Sequence, residues 1–160
     1  LITDPITQSA LSSQEYVEFV ALAPALYARC AEVAAYNLPT TLLHGDLHPG
    51  NITQRNGEYL FFDWTDAAIG LPFVDLFLLY FELDDEDGYA EWRDAYLEAW
   101  QEDESPARLA AAWELAKPLC ALHHSISYLS ICHNIEPLTR DELFHGLPDH
   151  LRRLLASMRA

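Results

Sequence analysis

Basic residues are scarce in this chain. A single lysine, Lys117, and eight arginines stand against twenty-five acidic side chains in 160 residues, for a formal net charge of −16. That balance repels nucleic acid and anionic membrane, and no cluster of Lys or Arg overrides it locally. It would attract a cationic ligand, although acidity is also a common route to solubility. No uninterrupted apolar stretch reaches about 18 residues, which leaves no candidate for a membrane-spanning helix. Leu1 to Ser9 have neither a basic start nor an apolar run, so no secretory leader is read there. Cys30, Cys120 and Cys132 are odd in number and have no C-x-x-C pairing, the pattern of reduced, mostly buried thiols in a cytoplasmic protein. The six glycines are scattered. The chain begins at Leu1 and its one methionine is Met158, so it reads as part of something longer or as a processed product.

What is present is 51% hydrophobic residues, sufficient for a packed core in one compact domain over 1–160. Ser12 with Glu15 has the form of a capping box, and Tyr16, Phe19, Val20, Leu22, Leu26 and Tyr27 follow at near-helical spacing. Pro24 predicts a fresh helical start or a kink. Thr41 to His44 reads as extended. Asn56-Gly57 between Ile52–Arg55 and Glu58–Phe62 is a strong hairpin signal. The run Leu60-Phe61-Phe62 predicts a strand buried on both faces. Pro72 opens an apolar helix through Phe73, Leu76, Phe77 and Tyr80, predicted to lie in the middle of the fold. An acidic turn over Glu82–Asp87, a helix from Tyr89 to Gln101 and a long helix from Pro106 to His133 with a kink at Pro118 come next. A last helix, with Thr139 and Glu142 as capping box and interruptions at Gly146 and Pro148, ends near Arg159. The predicted class is α+β, mainly α: a helical body around one short hairpin.

Chemistry concentrates beside that hairpin. Residues 44–51 read His44-Gly45-Asp46-Leu47-His48-Pro49-Gly50-Asn51, and Asp63 follows the second strand. His-x-Asp-x-x-x-x-Asn, a hairpin, then Asp is a phosphoryl-transfer layout. A hydroxyl nucleophile needs a carboxylate to orient it and take its proton, and Asp46 is the candidate base. Nucleotide phosphates need Mg²⁺, a hard cation that takes oxygen ligands, and Asn51 and Asp63 are the candidates. With a two-residue turn Arg55 pairs with Glu58, Asn51 falls opposite Phe62, and Asp63 is one residue further out. Strict alternation would send Asn51 and Asp63 to opposite faces. Two remedies are open: the strand ends before Asp63, or the turn is one residue longer.

These residues resemble the aminoglycoside phosphotransferase-like kinases, relatives of choline, homoserine and fructosamine kinases. The resemblance runs over His44 to Asn51, Asp63-Trp64, Ala67, Gly70, Pro72 and Asp75-Leu76. It implies the C-terminal lobe of a protein-kinase-like fold, with ATP or GTP as co-substrate and a small-molecule hydroxyl as acceptor. It assigns Asp46 as base, Asn51 and Asp63 as Mg²⁺ ligands, Asp75 as the acid that braces the catalytic loop, and His44 as the histidine packed under it. Two departures stand out: Thr65 where an acid is common, and Leu71 where an Asp is common, neither expected to touch the chemistry. The family's N-terminal lobe, with its strands and phosphate-gripping Lys, has no counterpart before residue 44, and Lys117 has a helical context. The chain alone is therefore expected to bind nucleotide poorly and not to turn over. A lobe without its partner would also present an apolar seam prone to self-association.

Other patterns have plainer readings. His44 and His48 are four apart, but Gly45 and Pro49 argue against the helix a metal pair at that spacing would need. Cys120 with His123 and His124, and Cys132 with His133, read as buried thiols and satisfied histidines. Trp92, Tyr96, Trp100 and Trp113 read as core ahead of the wall of a substrate cleft, and the acidic run at 82–87 as a solvated turn ahead of a contact for a cationic substrate. The competing functional class is a catalytically silent kinase-like module for binding or assembly, against which the intact trio Asp46, Asn51 and Asp63 argues.

Overall fold

The computed structural model describes residues 1–82, 86–136 and 145–159, the side chains of 79–82 and 86–87 excepted. It divides into two compact units, one of residues 1–33 with 115–160 and the other of residues 34–114.

The first unit is helical. Pro5 stands at the start of α1 (Pro5–Ala10), and Asp4 caps it by accepting the Ile6 N–H at 2.9 Å. The capping box at the start of α2 (Ser13–Ala21) forms as predicted: Ser12 N–H donates to Glu15 Oε2 at 2.8 Å and Glu15 N–H to Ser12 Oγ at 3.3 Å. Pro24 lies in the first turn of α3 (Ala23–Val33), where its missing N–H costs nothing. The last helix, which we number α7 (Gly146–Arg159), begins at Gly146 and carries Pro148 in its first turn. A first-turn N–H has no partner within the helix, so Pro148 is accommodated there. Leu147, Leu151, Leu154 and Leu155 form its buried stripe against α1 and α2. Each such side chain contributes on the order of 1.5–3 kcal/mol through burial. At its rim Arg152 pairs with Glu15 at 2.8 Å, and Arg159 pairs with Glu18. The Arg152 and Ser12 hydrogen bonds hold the Glu15 carboxyl down at about 2. Thr139 and Glu142 lie outside the described residues.

The second unit holds all the strands found among the described residues. β2 (Ile52–Arg55) and β3 (Glu58–Phe61) form the predicted hairpin, with Arg55 opposite Glu58 and Ile52 opposite Phe61. Its turn residues Asn56 and Gly57 both take positive φ, 54° and 82°, as a two-residue turn of this kind requires. The extended segment β1 (Thr41–Leu43) pairs antiparallel with β4 (Ala68–Gly70), a short strand the sequence pattern did not announce. The prediction of a doubly buried second strand is overturned: Tyr59, Leu60, Phe61 and Phe62 are all exposed. β2 and β3 pair only with each other, and no layer covers β3 within the described residues.

α4 (Phe73–Glu82) is buried at Phe73, Val74, Leu76 and Phe77, as its all-round apolarity predicts. α5 (Glu86–Glu98) starts and ends three residues earlier than expected, and residues 83–85 lie outside the described set. α6 (Pro106–Asn134) matches its predicted span and contributes residues 106–114 to this unit. Trp113 is fully buried, stands edge-on to Phe73 at 5.9 Å, and donates its Nε1–H to Tyr89 Oη at 2.6 Å. Tyr96 Oη donates to the Pro72 carbonyl at 2.6 Å, fixing α5 to the entry of α4. Trp92, expected in the core, is exposed. No helix among the described residues is long and apolar enough to cross a membrane.

Candidate active site

The loop after β1 is held from beneath by one carboxylate. Asp75, in the first turn of α4 and buried, accepts the His44 N–H at Oδ2 and the Gly45 N–H at Oδ1, both at 2.9 Å. Two charge-assisted bonds to consecutive amides leave this stretch of backbone one orientation. Gly45 has φ +84°, and a Cβ there would lie 2.1 Å from the Asp66 carbonyl oxygen. Only glycine fits, on both conformational and steric grounds.

His44 is buried and joins the loop to the end of β3. Its Nε2 lies 2.8 Å from the Phe62 carbonyl oxygen, which can only accept, so Nε2 carries the proton. Nδ1 is then an acceptor, and the Asp46 N–H donates to it at 3.4 Å. Trp64 covers the ring at a centroid distance of 4.7 Å and donates its Nε1–H to the Phe61 carbonyl. The histidine thus packs under the loop and ties Asp46 to the residue that precedes Asp63.

Asn51 ends a 3-10 turn over Pro49–Asn51 and is buried. Its Nδ2 donates to the Asp46 carbonyl at 2.9 Å and to Asp46 Oδ2 at 3.2 Å. A carbonyl oxygen accepts only, so these bonds fix which end of the amide is nitrogen and turn Oδ1 the other way. The Asp46 carboxylate is half-exposed, and His48 Nε2 stands 3.6 Å from its Oδ2.

The hairpin register sets Asn51 opposite Phe62, and the Phe62 N–H donates to the Asn51 carbonyl at 3.2 Å. Of the two remedies for strand alternation, the first is what occurs. β3 stops at Phe61, and Asp63 leaves the extended conformation for φ +61°. A left-handed residue breaks the two-residue period, so alternation no longer governs the direction of its side chain. Asp is one of the few residues that tolerate this conformation. Asp63 Oδ1 accepts a hydrogen bond from Thr65 Oγ1 at 2.8 Å. Thr65 therefore does touch a candidate ligand, contrary to expectation. The sequence reading missed this; the signal that could have found it is a hydroxyl two residues after an acid at a turn.

Cys120 and Cys132 are buried and Cys30 is exposed, all three free thiols. No group of three or more His, Cys, Asp or Glu among the described residues is placed to hold a metal ion. A site built from one amide and one carboxylate would be of a different kind, suited to a hard cation that takes its other ligands from water and phosphate.

Residues 6–117 match the family model described as the phosphotransferase enzyme family. No curated protein and no solved structure gives a match. The matched span takes in the loop at 44–51, both sheets and Asp75. With the braced loop, the amide-to-carboxylate contact and more than half its length inside that match, the chain belongs to the phosphotransferase enzyme family, the aminoglycoside phosphotransferase-like group its motif resembles.

Proposed function

We propose that this chain is the C-terminal, catalytic-loop lobe of a small-molecule kinase that transfers the γ-phosphoryl group of ATP or GTP to a hydroxyl. The observation that carries this reading is the pair of bonds from Asn51 Nδ2 to Asp46. They set the candidate base and a candidate metal ligand side by side and give each a defined orientation.

In this reading Asp46 accepts the hydroxyl proton as the acceptor oxygen attacks the γ-phosphorus, and the nucleoside diphosphate leaves. Asn51 Oδ1 and the Asp63 carboxylate would hold Mg²⁺, which when bound neutralises charge on the phosphates. The residues suit that ion. Asn51 presents an amide oxygen because its nitrogen is engaged by Asp46, and Asp63 keeps acceptor capacity beside its bond from Thr65. Asp75 and His44 perform no proton transfer here; they hold the backbone on which Asp46 stands.

A second lobe to clamp the nucleotide belongs to this proposal. Among the described residues no strand precedes Thr41, and Lys117 lies on α6. The exposed Tyr59, Leu60, Phe61 and Phe62 support further structure, or a second copy, over the hairpin. The 160 residues by themselves are expected to turn over slowly. The acidic surface favours a cationic acceptor such as an amine-bearing alcohol.

The test is Mg²⁺-dependent phosphoryl transfer by the intact protein, with Asp46→Asn as control. Loss of a general base lowers kcat by roughly 10²–10⁴. An unchanged kcat would remove Asp46 as base, and absence of any Mg²⁺-nucleotide binding would favour a silent binding module.

A further inference from the structure

His48 has no role in the reading above, yet its ring is more tightly specified than an exposed turn residue requires. The Gly50 N–H donates to His48 Nδ1 at 3.1 Å, so the neutral ring carries its proton on Nε2. That nitrogen lies 3.6 Å from Asp46 Oδ2. Pro49 fixes the backbone between the two residues that make the turn, and Gly50 leaves the ring its space. A Cβ at position 50 would fall 2.6 Å from His48 Cε1 and 2.9 Å from Nδ1. The sequence His48-Pro49-Gly50 is thus a clamp that sets an imidazole nitrogen near one oxygen of the candidate base.

The same oxygen, Oδ2, receives Asn51 Nδ2 at 3.2 Å from the other direction. With Asn51 donating to Oδ2 and His48 Nε2 close beside it, rotation about the last side-chain bond is restricted. The other oxygen is left as the proton acceptor. A separation of 3.6 Å is longer than a hydrogen bond, but catalytic contacts in ligand-free structures are often long and tighten when substrate is bound.

We infer that His48 is a positioning residue for Asp46, which with Asn51 holds Oδ2 and reserves Oδ1 to take the proton of the acceptor hydroxyl. The inference rests on Asp46 being the base. The proton passes from the hydroxyl oxygen to Oδ1 as the oxygen–phosphorus bond forms, and His48 keeps its own proton throughout.

The experiment uses the intact protein with Mg·ATP and water as the acceptor, read as release of inorganic phosphate. His48→Leu removes the donor, and His48→Gln keeps an N–H that can reach Oδ2. Gly50→Ala displaces the ring while retaining His48. A lost hydrogen bond to a charged group gives roughly a tenfold fall in kcat. That fall is expected for His48→Leu and Gly50→Ala, with the KM for ATP unchanged. His48→Gln should recover most of the rate, and the Leu/Ala double variant should be no slower than His48→Leu alone. Full activity in His48→Leu, beside an Asp46→Asn variant that is silent, overturns the inference and leaves the phosphotransferase reading standing. A raised KM at unchanged kcat also overturns it, by making His48 a nucleotide contact. If Asp46→Asn is itself fully active, the base assignment fails and this inference falls with it. Ring ¹⁵N shifts of the unsubstituted protein give a readout independent of variant folding: the Nε2–H tautomer of His48 is expected, and Nδ1–H overturns the clamp.

Discussion

The hydroxyl of Thr65 donates to Asp63 Oδ1 at 2.8 Å, at the position where the motif's resemblance led to the expectation of an acid. An acid there could not donate, so the threonine changes how Asp63 is held. A group that orients a metal-ligating carboxylate typically affects metal affinity 10- to 100-fold when removed. Thr65→Val is therefore expected to raise the Mg²⁺ concentration for half-maximal activity about tenfold, and Thr65→Ser to restore it. A magnesium titration of the three proteins at saturating nucleotide decides this.

Asp63 itself separates fold from function. Its φ of +61° costs a non-glycine residue about 1 kcal/mol, and its side chain is exposed. Asp63→Gly should relieve that strain and leave the protein as stable as before or slightly more so, while removing a candidate ligand and with it Mg²⁺-dependent turnover. Denaturant midpoints and activity measured on one preparation check both halves. Loss of stability would mean that the carboxylate holds the structure together instead.

Asp75 makes the opposite prediction. It is buried and accepts two backbone N–H groups, one on each oxygen. In Asp75→Asn one oxygen can still accept, but the amide nitrogen faces an N–H that it cannot satisfy. An orphaned buried donor and the loss of two charge-assisted bonds cost about 2–4 kcal/mol. Urea unfolding monitored by Trp fluorescence should show that loss, and activity should fall with it because the loop carrying Asp46 is released.

His150, in α7, gives the first unit a distinct acid response. It is buried, stacks on His124 at 5.4 Å and lies 4.8 Å from the Tyr128 ring. Its Nδ1 has no hydrogen-bond partner among the described residues. Burial, with a smaller contribution from Arg153 and a weaker opposing one from Asp149, pushes its pKa down to about 4. The folded state then keeps the ring neutral while the unfolded chain protonates it near the ordinary value of 6.5. Below that value the unfolded state binds the extra proton, so stability falls as pH drops from about 6.5 and the loss is complete below about 4. The full effect is about 3 kcal/mol, with most of it already gone by pH 5. His150→Phe, similar in shape and without a titrating group, should flatten this window. Chemical denaturation of both proteins at pH 7 and pH 5 tests it. The carboxylates held low by partners, Glu15 among them at about 2, add their own loss only at more acidic pH.

Local chemistry was legible wherever one or two neighbouring residues decide it. The Ser12–Glu15 capping box, the Asn56-Gly57 turn with its register, and the span of α6 all follow from short-range rules of hydrogen bonding and backbone conformation. The spacing from His44 to Asp63 was legible for the same reason, since a two-residue turn fixes which residues face each other across the hairpin.

Longer-range facts were not. An apolar run such as Leu60-Phe61-Phe62 looks the same whether or not a second layer lies over it, and here it is exposed. The pairing of β1 with β4 joins segments some 27 residues apart through only three residues each, too short for any periodicity to register.

The sequence by itself determined the set of chemical groups, their order and the turn that brings Asn51 level with Phe62. Only the tertiary structure decided that Asp63 would turn left-handed, that Asp75 would take the amides of both His44 and Gly45, and that Asn51 and His48 would both approach a single oxygen of Asp46. The reason is physical. Composition and spacing say which donors and acceptors exist, but which of them meet is set by backbone angles and packing summed over the whole unit, and no local pattern encodes that sum.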